Sequence, residues 1–339
     1  MRIIALLLLV ITSSVFSQPV LKVVATTPEL TSLVKEIGTS LVEVKTLVKG
    51  REDPHYVEVL PSYVAAVNKA DLVVKVGLEL EIGWLPVVIQ QSRNRKVQKG
   101  KSGHLDVSDY IVPIETIDGP IHRGMGHIHP KGNPHYLSDP SQGLLAAGGI
   151  KSKLQELMPS SKVEIEANYE AFKQKLGTYL LGERLVAKYD SVKLLELRSY
   201  NSLMTFLRSK NEEKLIGGQL KRFGIFHNKP VVQGHGSFSS LIRFLGLKNN
   251  GTLEPKPGIK PSFKYLATVV KKINHDGVKL VTHTPFFSKR LIRFIESEVN
   301  CPVVELSRQM NSVKPYDDYL DWVQWTLDTL YDGLTEDRS

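Results

Sequence analysis

From Leu21 to Gly77 the chain switches at short spacing between brief apolar runs and longer amphipathic ones: LKVVATT, PELTSLVKEIG, VEVKTLV, PSYVAAVNKA and DLVVKVG. That is β-α-β-α-β. Strand interiors that are continuously apolar need cover on both faces, so the pattern predicts a parallel sheet flanked by helices. The same alternation returns near the other end, with KPVVQGH, VKLVTHT and CPVVEL as strands and FSSLIRFLGL, FKYLATVVKKINH and SKRLIRFIESEV as helices. Between the two halves lie thirty residues without proline, Ser160 to Tyr189, rich in Glu, Lys, Ala and Leu. They read as one helix with Ser160 or Ser161 as N-cap and Val163, Tyr169, Phe172, Leu176 and Leu180 as its apolar positions. The expected fold is therefore α/β: two lobes, each a parallel sheet flanked by helices, joined by one long rigid linker helix. The expected boundaries are 18–158 for the first lobe, 159–190 for the linker and 191–339 for the second lobe.

The first residues, MRIIALLLLVITSSVFSQP, place Arg2 before an apolar run from Ile3 to Val10 and small polar residues ending at Ser17. This is the layout of a secretory signal peptide over 1–17, cleaved near Ser17/Gln18. The apolar run is shorter than the roughly 20 residues a membrane span needs. The sole cysteine is Cys301, so no internal disulfide forms and no cysteine follows the leader to carry a lipid. A soluble monomer of a Gram-negative periplasm is the expectation. Net charge is +9, from 44 Lys and Arg against 35 Asp and Glu, and the excess is spread along the chain. The densest basic stretch, QSRNRKVQKGKSGH over 91–104, lacks interleaved aromatics and reads as a solvated loop, which with export argues against a nucleic-acid partner.

Histidine is the unusual residue here. Ten are present, and none forms a short-range zinc motif: there is no His-Glu-x-x-His and no paired Cys-x-x-Cys. Any metal site must be assembled from distant loops, and a single histidine considered alone reads as a surface residue or as support for a ligand. The stretch HRGMGHIHPKGNPH is different, with His122, His127, His129 and His135 among three glycines and two prolines in fourteen residues. It cannot form a regular helix or a buried strand, and such histidine-dense tracts are a compositional sign of metal binding, the alternative being a flexible or pH-sensitive loop. The tripeptide Pro-His-Tyr occurs twice, around His55 and His135. His235 and His283 lie where predicted strands run out, at the carboxyl ends that ligand sites of such sheets use.

The stretch EDPHYVEVLPSYVAAVNKADLVVKVGLELE resembles the signature of the metal-specific substrate-binding proteins of ABC transporters, the zinc and manganese cluster. GNPHYLSDP, IGGQL, VVQGHGSFSSLIRFLGL and EPKPGIKPS are similar to later blocks of that family in the same order, from about Leu21 to Leu330. The resemblance implies a metal buried between two lobes, with His55, His135 and His235 as ligands. Three imidazoles favour Zn²⁺ over harder Mn²⁺, although copper and nickel share that preference. Manganese members supply a carboxylate after the last strand; here VVELSRQMN has only Glu305 and Ser307 to offer. A glutamate-proline block near the end of the family reads VTHTPFF here, with His283 in its place. The fourth ligand is open among water, Glu52, Glu58, Glu305 and His283, with His283 expected to support the site from behind. His122, His127 and His129 are expected to form an auxiliary, weaker loop site. Proline fixes the backbone ahead of His55, and Glu52, Asp53 or Glu58 can accept its second ring N–H.

The function so implied is a carrier that captures Zn²⁺ and delivers it to an ABC permease, with no catalytic role. The alternatives are a zinc-dependent hydrolase, for which no general base in a zincin motif is present, a carrier of manganese or another divalent metal, or a metal-binding adhesin.

Overall fold

The computed structural model describes residues 20–119, 128–256 and 258–336, so the leader and the loop histidines His122 and His127 lie outside the described residues. The first lobe runs β1 (Leu21–Ala25), α1 (Pro28–Gly38), β2 (Val42–Thr46), α2 (Pro61–Asn68), β3 (Leu72–Lys75), α3 (Leu85–Ser92) and β4 (His104–Asp106). The helices α4 (Pro140–Leu157), α5 (Lys162–Leu181), α6 (Glu183–Val186), α7 (Ser191–Ser199), α8 (Leu203–Ser209) and α9 (Gly218–Phe223) follow. The second lobe is β5 (Pro230–Gln233), α10 (Ser239–Leu245), β6 (Lys248–Thr252), α11 (Phe263–His275), β7 (Leu280–His283), α12 (Lys289–Glu298) and β8 (Val303–Glu305), and α13 (Tyr319–Thr335) closes the described chain.

Both sheets are parallel throughout, with strand orders β2-β1-β3-β4 and β6-β5-β7-β8. In each, the chain leaves the first strand for one edge and returns on the other side of it. The crevice at the carboxyl ends of that strand is where an open α/β sheet takes a ligand. Side chains alternate across each sheet, and the burial follows. Val23, Ala25, Leu72 and Val74 point to one side, where they pack with α1 and α4; Val24 and Val73 point to the other, with Val67 of α2 and Val88 of α3. In the second lobe Val231 and Leu280 face one way, while Val232 and Val281 face Leu266, Ile273 and Ile295. One apolar cluster is continuous through both lobes, by way of Leu176 and Leu180 of α5 and Trp322 and Leu327 of α13. The lobes thus share a core and not merely a hinge.

The expected two-lobe α/β architecture is present, with three differences of detail. The helix read over Ser160–Tyr189 is α5, and it stops at Leu181 because Gly182 turns with φ +86°. A Cβ there would lie 2.6 Å from the Gly217 Cα, so the close backbone approach requires glycine. Ser161 makes no capping hydrogen bond through its side chain, and Val163 is 85% exposed while Ile165 takes the buried position. The edge strands β4 and β6 are additions. The basic stretch 91–104, expected as a solvated loop, ends on β4, with the His104 ring against the Val97 carbonyl at 3.0 Å. No helix among the described residues is long and apolar enough to cross a membrane.

Candidate metal centre

Two Pro-His loops of the first lobe and one Gly-His turn of the second converge between the sheets. His55 lies in the loop after β2, held by the indole N–H of buried Trp84, which donates to the Pro54 carbonyl at 2.8 Å. His135 precedes the α4 N-terminus, and its backbone N–H donates to Asn133 Oδ1 at 2.9 Å. Asn133 in turn donates to the Gly236 carbonyl at 2.6 Å, tying the His135 loop to the turn that carries His235. Ser240 of α10 donates to Asp139 at 2.7 Å, a further bond between the lobes.

The His55 and His135 ring centres are 5.1 Å apart and those of His135 and His235 are 5.5 Å apart. His129, expected with the auxiliary loop, stands beside them: its Nε2 is 3.2 Å from His55 Nε2. The structure therefore groups His129 with the other three rings. As they stand His135 packs edge to face with His55 and His235 while His129 is tilted against His55, and no three His, Cys, Asp or Glu side chains among the described residues are in a ready metal-holding arrangement. Their spacing leaves side-chain rotations as the step that would aim the nitrogens at one point.

Each outer ring is oriented by a carboxylate. Asp53 Oδ1 accepts from His55 Nδ1 at 2.8 Å, and Glu254 Oε2 accepts from His235 Nδ1 at 2.8 Å and from the Gly258 backbone N–H at 2.9 Å. This is the arrangement that fixes a tautomer and leaves Nε2 as the donor atom. His135 Nε2 is buried and makes no hydrogen bond. Burial pushes the His135 ring well below the ordinary imidazole value, and His55, Arg308, His235 and His129 push the same way, so it is a neutral base. A buried, unpaired imidazole nitrogen is costly unless a Lewis acid takes its lone pair.

Burial pushes Asp53 upward, yet the His55 ring, Arg308 and the His55 backbone N–H outweigh it and hold the carboxyl well below the usual carboxylate range. Arg308, beyond β8, is buried with its guanidinium 4.4 Å over the Phe286 ring and Nη2 3.2 Å from Asp53 Oδ1. The adjacent Gln309 donates to the carbonyls of Lys49, Gly50 and Glu52 at 3.0, 2.8 and 2.8 Å, so the second lobe clamps the loop that carries His55.

The remaining candidates stand apart. Glu52 folds back to accept from the Lys49 N–H at 2.8 Å, and Glu58 and Glu305 are exposed. His283 is buried at the end of β7 with Nδ1 3.2 Å from the Thr284 carbonyl, and no contact of the described residues joins its ring to the cluster. Asn133, Glu254, Arg308 and Gln309 were not singled out from the sequence. Glu254 falls inside the family-like EPKPGIKPS block, the one signal that pointed toward it. Arg308 carried none, because its partner Asp53 is 255 positions away.

A pocket of about 430 Å³ opens over His55 and His235, lined also by Arg308, Glu254, Lys260 and Phe286. A separate cavity of about 30 Å³ lies behind, between Glu29, His135 and Arg308.

Residues 23–182 and 221–333 match the family model described as zinc-uptake complex component A, periplasmic. Among curated relatives, the iron ABC transporter substrate-binding lipoprotein MtsA of Streptococcus pyogenes serotype M1 is 24% identical over 93% of this chain and 89% of its own. The manganese ABC transporter substrate-binding lipoprotein PsaA of Streptococcus anginosus is 23% identical over 93% and 90%. A crystal structure of ZnuA superposes with a TM-score of 0.65 at 20% identity, over 95% of this chain and all of the other.

Proposed function

The chain belongs to the zinc-uptake complex component A family, the substrate-binding components of metal ABC transporters, and from that premise we propose that it is a zinc carrier. In this reading the leader 1–17 exports it to the periplasm, where as a monomer it takes Zn²⁺ between the lobes and passes it to a permease. His55, His135 and His235 are the proposed ligands, with His129 favoured over Glu52, Glu58, Glu305 and His283 for the fourth position. His122 and His127 are proposed as an auxiliary site that gathers zinc. The proposed units keep residues 18–158 and 191–339 as lobes, and the linker is α5, from Lys162 to Leu181.

The observation that carries the reading is the cluster of four imidazoles from loops of both lobes, with a buried, unbonded Nε2 on His135. Relatives named for iron and manganese make the metal the point at issue. Imidazole nitrogens suit zinc, whereas manganese prefers oxygen donors. The nearest carboxylates, Asp53 and Glu254, are engaged with ring N–H groups.

Competition among Zn²⁺, Mn²⁺, Cu²⁺ and Ni²⁺, together with metal analysis of protein taken from its native compartment, tests this. Zinc is expected to be the metal recovered and to displace Mn²⁺ at equal concentration. His55→Ala, His135→Ala and His235→Ala should each weaken zinc by more than the roughly 100-fold that bounds loss of a supporting residue. Preferential loading with manganese or iron would overturn the zinc reading, and near wild-type affinity in any variant would remove that residue from the site.

A further inference from the structure

Between β2 and α2 the chain carries His55 through residues 47–60, which form no helix or strand. Order that the fold does not supply to such a stretch has to come out of the binding event. Here one side chain of the other lobe supplies it. The backbone carbonyls of Lys49, Gly50 and Glu52 converge on a single atom, Gln309 Nε2, at 3.0, 2.8 and 2.8 Å. A carboxamide nitrogen has two hydrogens, so three acceptors use its donor capacity in full. Gln309 is buried, and the turn adds its own bond, from the Glu52 N–H to the Lys49 carbonyl at 2.9 Å.

Gln309 is itself held firmly. It belongs to residues 306–312, which follow β8 and pass from the second lobe onto the first. At one end the Leu306 N–H donates to the His283 carbonyl at 2.8 Å, and further on the Met310 N–H donates to Glu29 Oε1 of α1 at 2.5 Å. Ser307 Oγ donates to the Gln309 carbonyl at 2.7 Å, and the Trp322 indole N–H donates to the Ser307 carbonyl at 3.1 Å. The 49–52 turn lies flush on this segment. A Cβ at Gly50 would stand 2.4 Å from the Asn311 carbonyl carbon and 2.5 Å from the Met310 carbonyl oxygen, so the approach requires glycine.

Building on the zinc-carrier reading, we propose that Gln309 is a positioning residue for zinc: through the 49–52 turn it sets where His55 stands, and so how long the ion is held. From Glu52 to His55 the chain has little freedom. Asp53 Oδ1 accepts from both the backbone N–H and the ring of His55, at 3.1 and 2.8 Å, and Pro54 is fixed in φ and tied to Trp84. A displaced turn therefore moves Asp53 and the His55 ring as one piece, while His135 and His235 stay on their own loops. Among the described residues Gln309 forms no hydrogen bond with a histidine of the cluster, so its effect passes through the turn.

Gln309→Met keeps the length of the side chain and removes its donors. Release of Zn²⁺ from the whole protein into excess chelator is expected to quicken by about 10- to 100-fold, the range for a residue that supports a metal ligand, with the rate of zinc uptake within about threefold of wild type. Zinc affinity in wild type, Gln309→Met, His55→Ala and the double variant separates positioning from a merely structural role. In the His55→Ala background Gln309→Met should cost less than about threefold, because the two residues act along one path. Backbone amide exchange of residues 50–56 in metal-free Gln309→Met should speed up while β1 and β3 exchange as in wild type. Unchanged zinc release in a folded Gln309→Met overturns the proposal, as does an affinity loss that persists in full without His55 or an exchange increase spread over the whole sheet. Should Gln309→Met not fold, Gln309→Asn, which keeps the amide but is one methylene shorter, is held to the same outcomes. Absence of zinc uptake by the wild type, or His55→Ala binding as tightly as wild type, would overturn the carrier reading itself and is seen in the same cycle.

Discussion

Replacing Asp53 with Asn isolates the charge that joins the His55 ring to the second lobe. The substitution keeps the size of the side chain and an acceptor oxygen for the His55 Nδ1–H, 2.8 Å away, and removes the negative charge that faces Arg308 at 3.2 Å. Two losses follow, and they are separable. Arg308 becomes a buried cation without its counter-ion, a change that costs 3–5 kcal/mol when a fully buried pair is broken. Asp53 is 35% exposed, so solvent screens part of the loss, and about 1–3 kcal/mol is expected. The amide also orients and polarises His55 less strongly, which should weaken zinc by about 10- to 100-fold. Urea unfolding of the metal-free protein measures the first loss, and competition with a chromophoric chelator measures the second. The carboxyl titrates well below the usual range in the folded state. Its contribution is therefore fully present above the unfolded value near 3.8 and is lost only as pH falls toward the lower folded one. The carboxyl therefore stays ionised at pH 7, and the deficit of Asp53→Asn should be present there. A variant of equal or greater stability at that pH, or zinc affinity within about threefold of wild type, would refute the reasoning.

Glu254→Gln should weaken zinc by about 10- to 100-fold through His235 while leaving thermal stability near wild type, read by chelator competition beside a melting curve. Burial raises Glu29 from 4.5 to about 7, so the folded state binds the proton more tightly than the unfolded chain, and stability falls as pH rises through that window. Glu29→Gln removes that dependence and should gain on wild type by about 3 kcal/mol between pH 4.5 and 7, measured by denaturant unfolding at both pH values. Gly182→Ala should destabilise by at least about 2 kcal/mol, since its φ of +86° and the 2.6 Å approach to Gly217 leave no room for a Cβ. An unchanged denaturation midpoint would show that the α5 terminus can relax.

Local pattern determined much of this protein. The apolar interiors of β1, β3, β5 and β7 and the amphipathic runs between them are period-two and period-3.6 signals carried within a few residues, and they specify parallel sheets under helices wherever they occur. The prolines before His55 and His135, and the strand end before His235, likewise mark these rings as displayed on stiff loops. Where an element depends on distant partners, the pattern says little. β6, KNNGT, has no apolar residue and is a strand only because the edge of β5 offers its hydrogen bonds. The end of α5 depends on Gly217, thirty-five positions on, which leaves no space for a side chain at Gly182. The site divides along the same line. Three ring positions were legible from motifs, but that His129 joins them, that Asp53 and not Glu52 or Glu58 orients His55, that Glu254 orients His235, and that Arg308 closes the wall were decided by tertiary packing. Those contacts join loops from the ends of separate strands in two lobes. Only the shared core, by setting the distance between the sheets, brings such loops within hydrogen-bonding reach.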